Sequence, residues 1–401
     1  MPILKQLTAA LLAAGTLLAL CGCGAAEPSA PPVPPEEQQA AEPAPPPPPT
    51  PEELAAAQID ALCASMTLEE QVGQLFFVRC PAENAAEDVA AYHLGGYLLF
   101  GRDYQDSAGN WLTADQFTAK LQSYQDAAAI PLLIGSDEEG GSVTRASRDP
   151  HLFPEGRFPS PQALLGRREA EPDIFFKDAR EKSEALLGYG INVNLAPVCD
   201  VSTDPADFIH DRTLGLEATA TADYTAAVVS AMKSCGIGSV LKHFPGYGSN
   251  ADTHTGIALD HRPLEAFRSS DLLPFQAGIA AGGSTTAVLV SHNIVSAMDP
   301  DLPASLSPAV HGLLREELDF DGVVMTDDLA MEAVSAYAGD GSVAVMALLA
   351  GNDLILTTDY RTQIPQVLEA VEQGGLDRSV IERACRRVLA WKQALGLLDQ
   401  P

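Results

Sequence analysis

Residues 219–243 read TATADYTAAVVSAMKSCGIGSVLKH. Thr219–Cys235 carries apolar side chains at the spacing of one helix face, and Ser239–Lys242 then makes a short apolar run that ends in the pair Lys242–His243. The chain repeats this unit of helix, short apolar run and polar ending. The other runs are Leu75–Arg79, Gly96–Phe100, Leu132–Ser136, Val193–Pro197, Ala287–Ser291, Gly322–Thr326 and Asp353–Leu356. Helical spacing recurs in Asp115–Ala128, Ile174–Tyr189, Asp271–Ala281 and Gln363–Gln373. Strands buried on both faces and separated by helices require a parallel sheet. Eight of them predict an α/β fold of one (β/α)8 barrel. An open doubly wound sheet would show a Gly-rich phosphate loop after an early strand, and none is present.

Polar residues gather where the runs end: Asp137, Asp200, Lys242 with His243, His292, and Asp327 with Asp328. In a barrel these points converge on the C-terminal face, where the loops build the site. Helix capping could account for any one aspartate. It accounts poorly for Lys-His or Ser-His.

The first residues read as an address. Lys5 precedes an apolar stretch, Leu7–Leu20, too short to span a bilayer comfortably and suited to a signal-peptide core. It ends in Leu20-Cys21-Gly22-Cys23, which resembles a bacterial lipobox with Cys23 as the lipidated residue. Cys21 fits worse, because Leu20 would occupy the cleavage position where a small residue is needed. Residues 24–51 are rich in Pro, Ala and Glu, the composition of an extended spacer. The expected organisation is a signal peptide over 1–23, a linker over 24–51 and a catalytic barrel over 52–401. It implies an extracytoplasmic protein held to the membrane by its lipid alone, or secreted. Lys plus Arg number 24 against 54 Asp plus Glu, a formal charge of −30. That field repels phosphate backbones and argues against nucleic acid as a partner. Cys63, Cys80, Cys199, Cys235 and Cys385 lie in or beside apolar stretches and read as small buried hydrophobes, not as disulfides or metal ligands.

The most informative stretch is Lys242-His243-Phe244-Pro245-Gly246-Tyr247-Gly248, followed by Asp252-Thr253-His254. It resembles the K-H-F-P-G-H-G…D-[ST]-H signature of glycoside hydrolase family 3, in its β-N-acetylglucosaminidase branch. Asp137-Glu138-Glu139-Gly140-Gly141-Ser142-Val143-Thr144-Arg145 is similar to the family's D-Q-E-G-G-x-V-x-R. Asn194-Leu195-Ala196-Pro197-Val198-Cys199-Asp200-Val201 is similar to N-x-A-P-V-x-D-V, and Asp211-Arg212-Thr213-Leu214-Gly215 to D-R-S-F-G. Gly95–Arg102 looks like the family's second strand, and Thr326–Met331 resembles S-D-D-L-S-M. The resemblance covers roughly residues 54–396. No second domain is expected after the barrel, unlike longer family members.

The resemblance implies roles. Cleaving a glycosidic bond passes through an oxocarbenium-like state that needs an anion beneath the anomeric carbon and a proton for the leaving oxygen. Asp327 fits the family's nucleophile position and implies a covalent glycosyl-enzyme with retention. Asp252 and His254 fit an acid/base pair in which an imidazole, titrating near neutral pH, replaces the usual second carboxylic acid. Asp328 is expected to cap the following helix. Asp137 can accept from two sugar hydroxyls while Lys242 and His243 donate to neighbouring ones. Arg145 and Arg212 match positions that line the sugar site, Arg212 on the acetamido side. Asp200 and His292 either touch the substrate or brace residues that do. Tyr247 stands where the family has His, and His210 where it has Gly.

The expected substrate is an amino-sugar-containing oligosaccharide or muropeptide with GlcNAc at its non-reducing end. No metal or other cofactor is expected, because the chain lacks both the His-x-His strand motif of barrel amidohydrolases and any His-Glu-x-x-His. A monomer is expected. Two other functions compete: a phosphorylase on the same scaffold, since a neutral His repels phosphate less than a second carboxylate would, and a non-catalytic saccharide-binding lipoprotein. The latter would be expected to lack the nucleophile or the Asp-His pair, and all three residues are present.

Overall fold

The period of two in each apolar run decides what the strands do in space. A computed structural model describes residues 47–249, 258–331, 334, 337, 339 and 341–398. Ten strands occur among them: β1 (Phe76–Arg79), β2 (Gly96–Leu99), β3 (Leu133–Ser136), β4 (Val193–Asn194), β5 (Gly238–Phe244), β6 (Leu259–Asp260), β7 (Thr286–Val290), β8 (Ile294–Val295), β9 (Val324–Thr326) and β10 (Ile355–Thr357). Eight form one sheet in the order β10-β1-β2-β3-β4-β5-β7-β9. All its pairings are parallel. Met325 and Leu354 bridge β9 to the chain entering β10, and Thr326 N–H donates to Leu354 O at 3.1 Å, bringing the two ends of the sheet together. This is the expected (β/α)8 barrel, within a compact unit spanning Pro49–Pro401.

Along each strand the side chains alternate between two cores. Phe77, Leu98, Leu133, Val240, Leu289, Met325 and Leu356 share the cluster that fills the barrel, with Trp391 and Leu395 of the last helix in the same cluster. Their neighbours Phe76, Val78, Leu99, Ile134 and Ile355 pack outward against helices, and Leu241, Val288 and Val324 do so in a second outer cluster. Both faces are buried, so the runs are apolar throughout instead of alternating with polar residues. The interior is filled, not hollow: a Cβ on Gly135 would stand 2.4 Å from the Phe77 ring, and one on Gly96 2.7 Å from it. Those two glycines make room for the Phe77 ring.

Strand bounds depart from the apolar runs at two places. Only Val193–Asn194 of Val193–Pro197 pairs as a strand. Pro197 has no N–H to give a ladder; Val240 N–H still donates to Ala196 O at 3.0 Å, and a bridge to β5 forms again at Val198–Lys242. In contrast, β5 extends beyond Ser239–Lys242 to Gly238–Phe244, so Lys242 and His243 belong to the strand itself. The pair β6–β8 is a separate parallel sheet. The helix Pro51–Ser65 begins one residue inside the expected linker. Thr50 caps it, accepting from Glu53 N–H at 3.2 Å while Glu53 accepts from Thr50 N–H at 2.7 Å. Cys63, Cys80, Cys199 and Cys385 are buried free thiols, and Cys235 is partly buried.

Candidate active site

The same alternation aims the polar endings. Continuing the inward parity of Phe77, Leu98, Leu133, Val240 and Met325 by two residues gives Arg79, Phe100, Asp137 (two steps on), Lys242 and Asp327. All five line one cavity of about 410 Å³, together with Arg145, Arg212, His243, Asp328 and Met331 and walled by Leu98, Leu195, Leu289 and Leu356. Of the sequence-derived site residues, Asp137, Arg145, Arg212, Lys242, His243 and Asp327 therefore meet. Asp252 and His254 lie outside the described residues, as does Cys23.

Glu139 holds the cluster together, a residue to which the motif reading gave no role. Lys242 Nζ lies 2.7 Å from Asp137 Oδ1 and 2.7 Å from Glu139 Oε1. Arg212 grips the same carboxylate as a fork, Nε to Oε2 at 3.0 Å and a terminal nitrogen to Oε1 at 2.7 Å. Burial pushes the Glu139 carboxyl up, but Lys242 and Arg212 outweigh it and hold the acid well below the usual carboxylate range. For Lys242, burial favours the neutral amine, while Asp137 and Glu139 more than restore the charge and raise its pKa. The arrangement satisfies the rule that a buried charge is paired and hydrogen-bonded. It leaves ionised, oriented donors and an acceptor facing the cavity.

His243 is fixed from both sides. Its Nδ1 lies 2.8 Å from Asp200 Oδ2, and its Nε2 lies 3.2 Å from a terminal nitrogen of Arg212. A guanidinium can only donate, so Nε2 accepts from it and Nδ1–H donates to Asp200. Asp200 also accepts from the backbone N–H of His243 at 3.2 Å and of Tyr247 at 2.7 Å. It is fully buried and does not line the cavity, so its part is to brace the β5 loop and the ring. His292 likewise stands behind the wall, with Nδ1 2.7 Å from Ser305 Oγ and Nε2 3.2 Å from Asp328 O. Tyr247, where the family has His, is buried edge-on against the rings of His243 and Phe208, each 5.0 Å away between centroids.

Asp327 follows β9 directly. Its N–H donates to Val290 O at 3.1 Å, tying it to β7, and its Oδ1 accepts from Asp328 N–H at 2.8 Å. Asp328 turns the other way in its bonding. Its carboxylate accepts from Ala330 N–H at 2.9 Å, Thr358 N–H at 3.2 Å and Thr358 Oγ at 2.9 Å, closing the turn after β9 onto the one after β10.

The loop carrying Arg145 hangs from Glu138. This fully buried acid accepts from Arg145 N–H at 3.0 Å, from Ser147 N–H at 3.2 Å and from the Ser147 hydroxyl. Burial pushes its carboxyl up, partly offset by the Ser147 hydroxyl and the Arg145 N–H. Gly140 makes the turn possible: its φ is +102°, and a Cβ there would lie 2.1 Å from Pro159 O.

The family model described as the glycosyl hydrolase family 3 N terminal domain matches residues 67–391, from the helix before β1 into the last helix, Arg378–Ala394. The chain belongs to glycoside hydrolase family 3. Among curated relatives, a protein named beta-hexosaminidase from Idiomarina loihiensis is 33% identical over 305 residues, 75% of this chain and 88% of its own. Beta-hexosaminidase LpqI of Mycobacterium tuberculosis is 30% identical over 85% of this chain and 87% of its own. Among solved structures, the family-3 β-N-acetylglucosaminidase of Paenibacillus sp. str. FPU-7 superposes with a TM-score of 0.73 at 32% identity. The match covers 83% of this chain and 63% of that one. A family-3 glycosyl hydrolase from Mycobacterium smegmatis gives 0.72 at 30% identity, covering 82% of this chain and 98% of that one.

Proposed function

We propose that this family-3 chain is a retaining exo-β-N-acetylhexosaminidase that removes GlcNAc from non-reducing ends of oligosaccharides or peptidoglycan fragments. The observation that carries the reading is the shared cavity. Asp327 lines it together with Asp137, Lys242 and Arg212, the last two tied together behind the wall by Glu139. The names of the relatives point to the same activity.

In this reading the cluster grips the terminal sugar. Asp137 accepts from hydroxyls, and Lys242, His243 and Arg212 present donors or ring edges to the remaining polar groups. A mismatched sugar would leave such buried groups unpaired, which discriminates strongly. Asp327 attacks the anomeric carbon, the C1–O bond to the leaving sugar breaks, and the leaving oxygen takes a proton from His254, oriented by Asp252. Water then adds to C1, giving its proton back to His254, and the Asp327 carboxylate leaves. Export through residues 1–23 with lipid on Cys23 belongs to the same proposal, and the Pro-rich 24–51 would act as spacer.

The test is release of a chromogenic phenol from its β-GlcNAc glycoside by the wild type, Asp327→Ala and His254→Ala, with the anomer formed first read by NMR. Asp327→Ala should lose about a thousandfold or more in kcat. His254→Ala should lose much less with an activated phenol than with a sugar leaving group, because a good leaving group needs less protonation. Ordinary turnover by Asp327→Ala, or an inverted first product, would refute the mechanism.

A further inference from the structure

Asp252 and His254 belong to residues 250–257, which join two described ends of chain. The first end is residues 245–248, directly after β5, and the second is Ala258, leading into β6. Each end is fixed through its backbone. Tyr247 N–H donates to Asp200 Oδ1 at 2.7 Å, and Ala258 O accepts from Ile294 N–H of β8 at 2.9 Å. One side chain then links the two ends. Arg262, two residues past β6, donates from Nε to Asp260 Oδ2 at 3.0 Å and from a terminal nitrogen to the same oxygen at 2.8 Å. Its two terminal nitrogens also lie 2.9 and 3.0 Å from the two oxygens of Asp271, the residue before the helix Leu272–Gly282. The guanidinium carbon is 4.2 Å from the Phe267 centroid. This assembly packs directly against the first end. A Cβ on Gly248 would stand 2.6 Å from the Arg262 guanidinium carbon, and one on Gly246 2.6 Å from Asp271 Oδ1.

Asp260 and Asp271 are both buried, so two enclosed carboxylates face one cation. Well-packed apolar side chains would stabilise such a spot as well or better. What apolar contact does not supply is direction. A planar fork bonded to carboxylates on two separate elements sets distance and angle together. Direction matters for a group that hands a proton to a leaving oxygen, because a misplacement of about 1 Å can cost about a hundredfold. Arg262 is not among the described residues that line the cavity, so any effect on the reaction passes through the chain it holds. We propose that Arg262, gripped by Asp260 and Asp271, is a positioning residue for the acid/base step: it clamps the two ends of residues 250–257 and so presents His254 to the leaving oxygen. The inference rests on the reading above, in which His254 is the proton donor.

The experiment measures kcat/KM for a series of aryl β-GlcNAc glycosides whose leaving phenols rise in pKa. The proteins are the wild type, Arg262→Met, Arg262→Lys, Asp271→Asn, His254→Ala, and Arg262→Met combined with His254→Ala. This ratio reports the steps up to departure of the phenol, where the proton is given. Arg262→Met should lose about tenfold or more with the poorest leaving group and about twofold or less with the best. Arg262→Lys should recover part of that loss. Asp271→Asn, which keeps the size of the side chain, should show the same trend more weakly. Both carry the test if circular dichroism shows Arg262→Met unfolded. In the His254→Ala background, Arg262→Met should cost nothing further, because the two residues act as one unit. A loss equal for every phenol, or one that adds in full to that of His254→Ala, would mark a support of the fold alone and overturn the proposal. So would an Arg262→Met variant as active as the wild type on every glycoside. A His254→Ala variant with no dependence on the leaving group would instead bring down the acid/base reading, and this clamp with it.

Discussion

Replacing Glu139 with Gln keeps the shape of the cluster and removes one charge. In the wild type one carboxylate oxygen serves both Lys242 and Arg212, each at 2.7 Å, and the other serves Arg212 Nε at 3.0 Å. An amide has only one oxygen, so its NH2 must face a guanidinium or ammonium N–H, donor against donor. At least one charge-assisted bond is lost, worth about 1.5–3 kcal/mol, and a buried donor is left unpaired. Lys242 keeps Asp137 and Arg212 keeps its contact with His243, so the loss stops short of stranding a bare charge. The expected cost is about 3 kcal/mol, at the low end for breaking a buried ion pair. Urea unfolding followed by circular dichroism measures it, alongside turnover of the chromogenic glycoside. kcat/KM should fall about a hundredfold, since Lys242 and Arg212 both lose their common anchor. In a double-mutant cycle with Lys242→Met, the pair should show a coupling of about 1 kcal/mol or more. A Gln variant within about 0.5 kcal/mol of the wild type and with undiminished kcat/KM would refute the anchoring argument.

The pH dependence has a definite sign. The Glu139 carboxyl is depressed in the folded chain, so its stabilisation is complete above the ordinary glutamate value and is lost as pH falls through the depressed one. The stability gap between wild type and Glu139→Gln should therefore be constant from about pH 6 to 8 and shrink below about pH 4, checked by urea midpoints across that range. Glu138→Gln replaces the two-oxygen acceptor that holds Arg145 N–H and Ser147 by one oxygen and a donor. KM for the glycoside should rise about tenfold with a smaller change in kcat, since the loop that presents Arg145 loosens. Asp328→Asn loses one of the acceptors that tie Thr358 and Ala330, and should cost about 1 kcal/mol, read as a few degrees in Tm.

The barrel strands were legible because parallel strands in a barrel have no wet face: Phe76–Val78 and Ala287–Val290 are apolar at every position, which is a signal visible without a partner. The pair β6–β8 carries no such signal. Each strand has two residues, and Leu259 is 46% exposed. The polar endings told where a site would form, but not which residues face it. That needs the parity of each strand carried past its end, which puts Arg79 and Asp327 inside and Asp200 behind. For Asp200 and His292 the sequence left contact and bracing both open, because burial of a polar side chain is a tertiary fact. Glu139 was missed for the same reason. It sits in an acidic triplet whose three members do three different things: Asp137 faces the cavity, Glu138 holds a loop, and Glu139 anchors two cations.

The enclosure of that cluster separates two kinds of negative charge in one molecule. The side chains of Lys242 and Glu139 are 3% and 2% exposed, whereas the chain as a whole carries a formal charge of −30. Dissolved ions act over roughly 8 Å of open water at physiological strength, so added sodium chloride quiets the repulsion of the outer coat and scarcely touches the pairs within. Brine should firm the coat of this protein without loosening its grip on sugar.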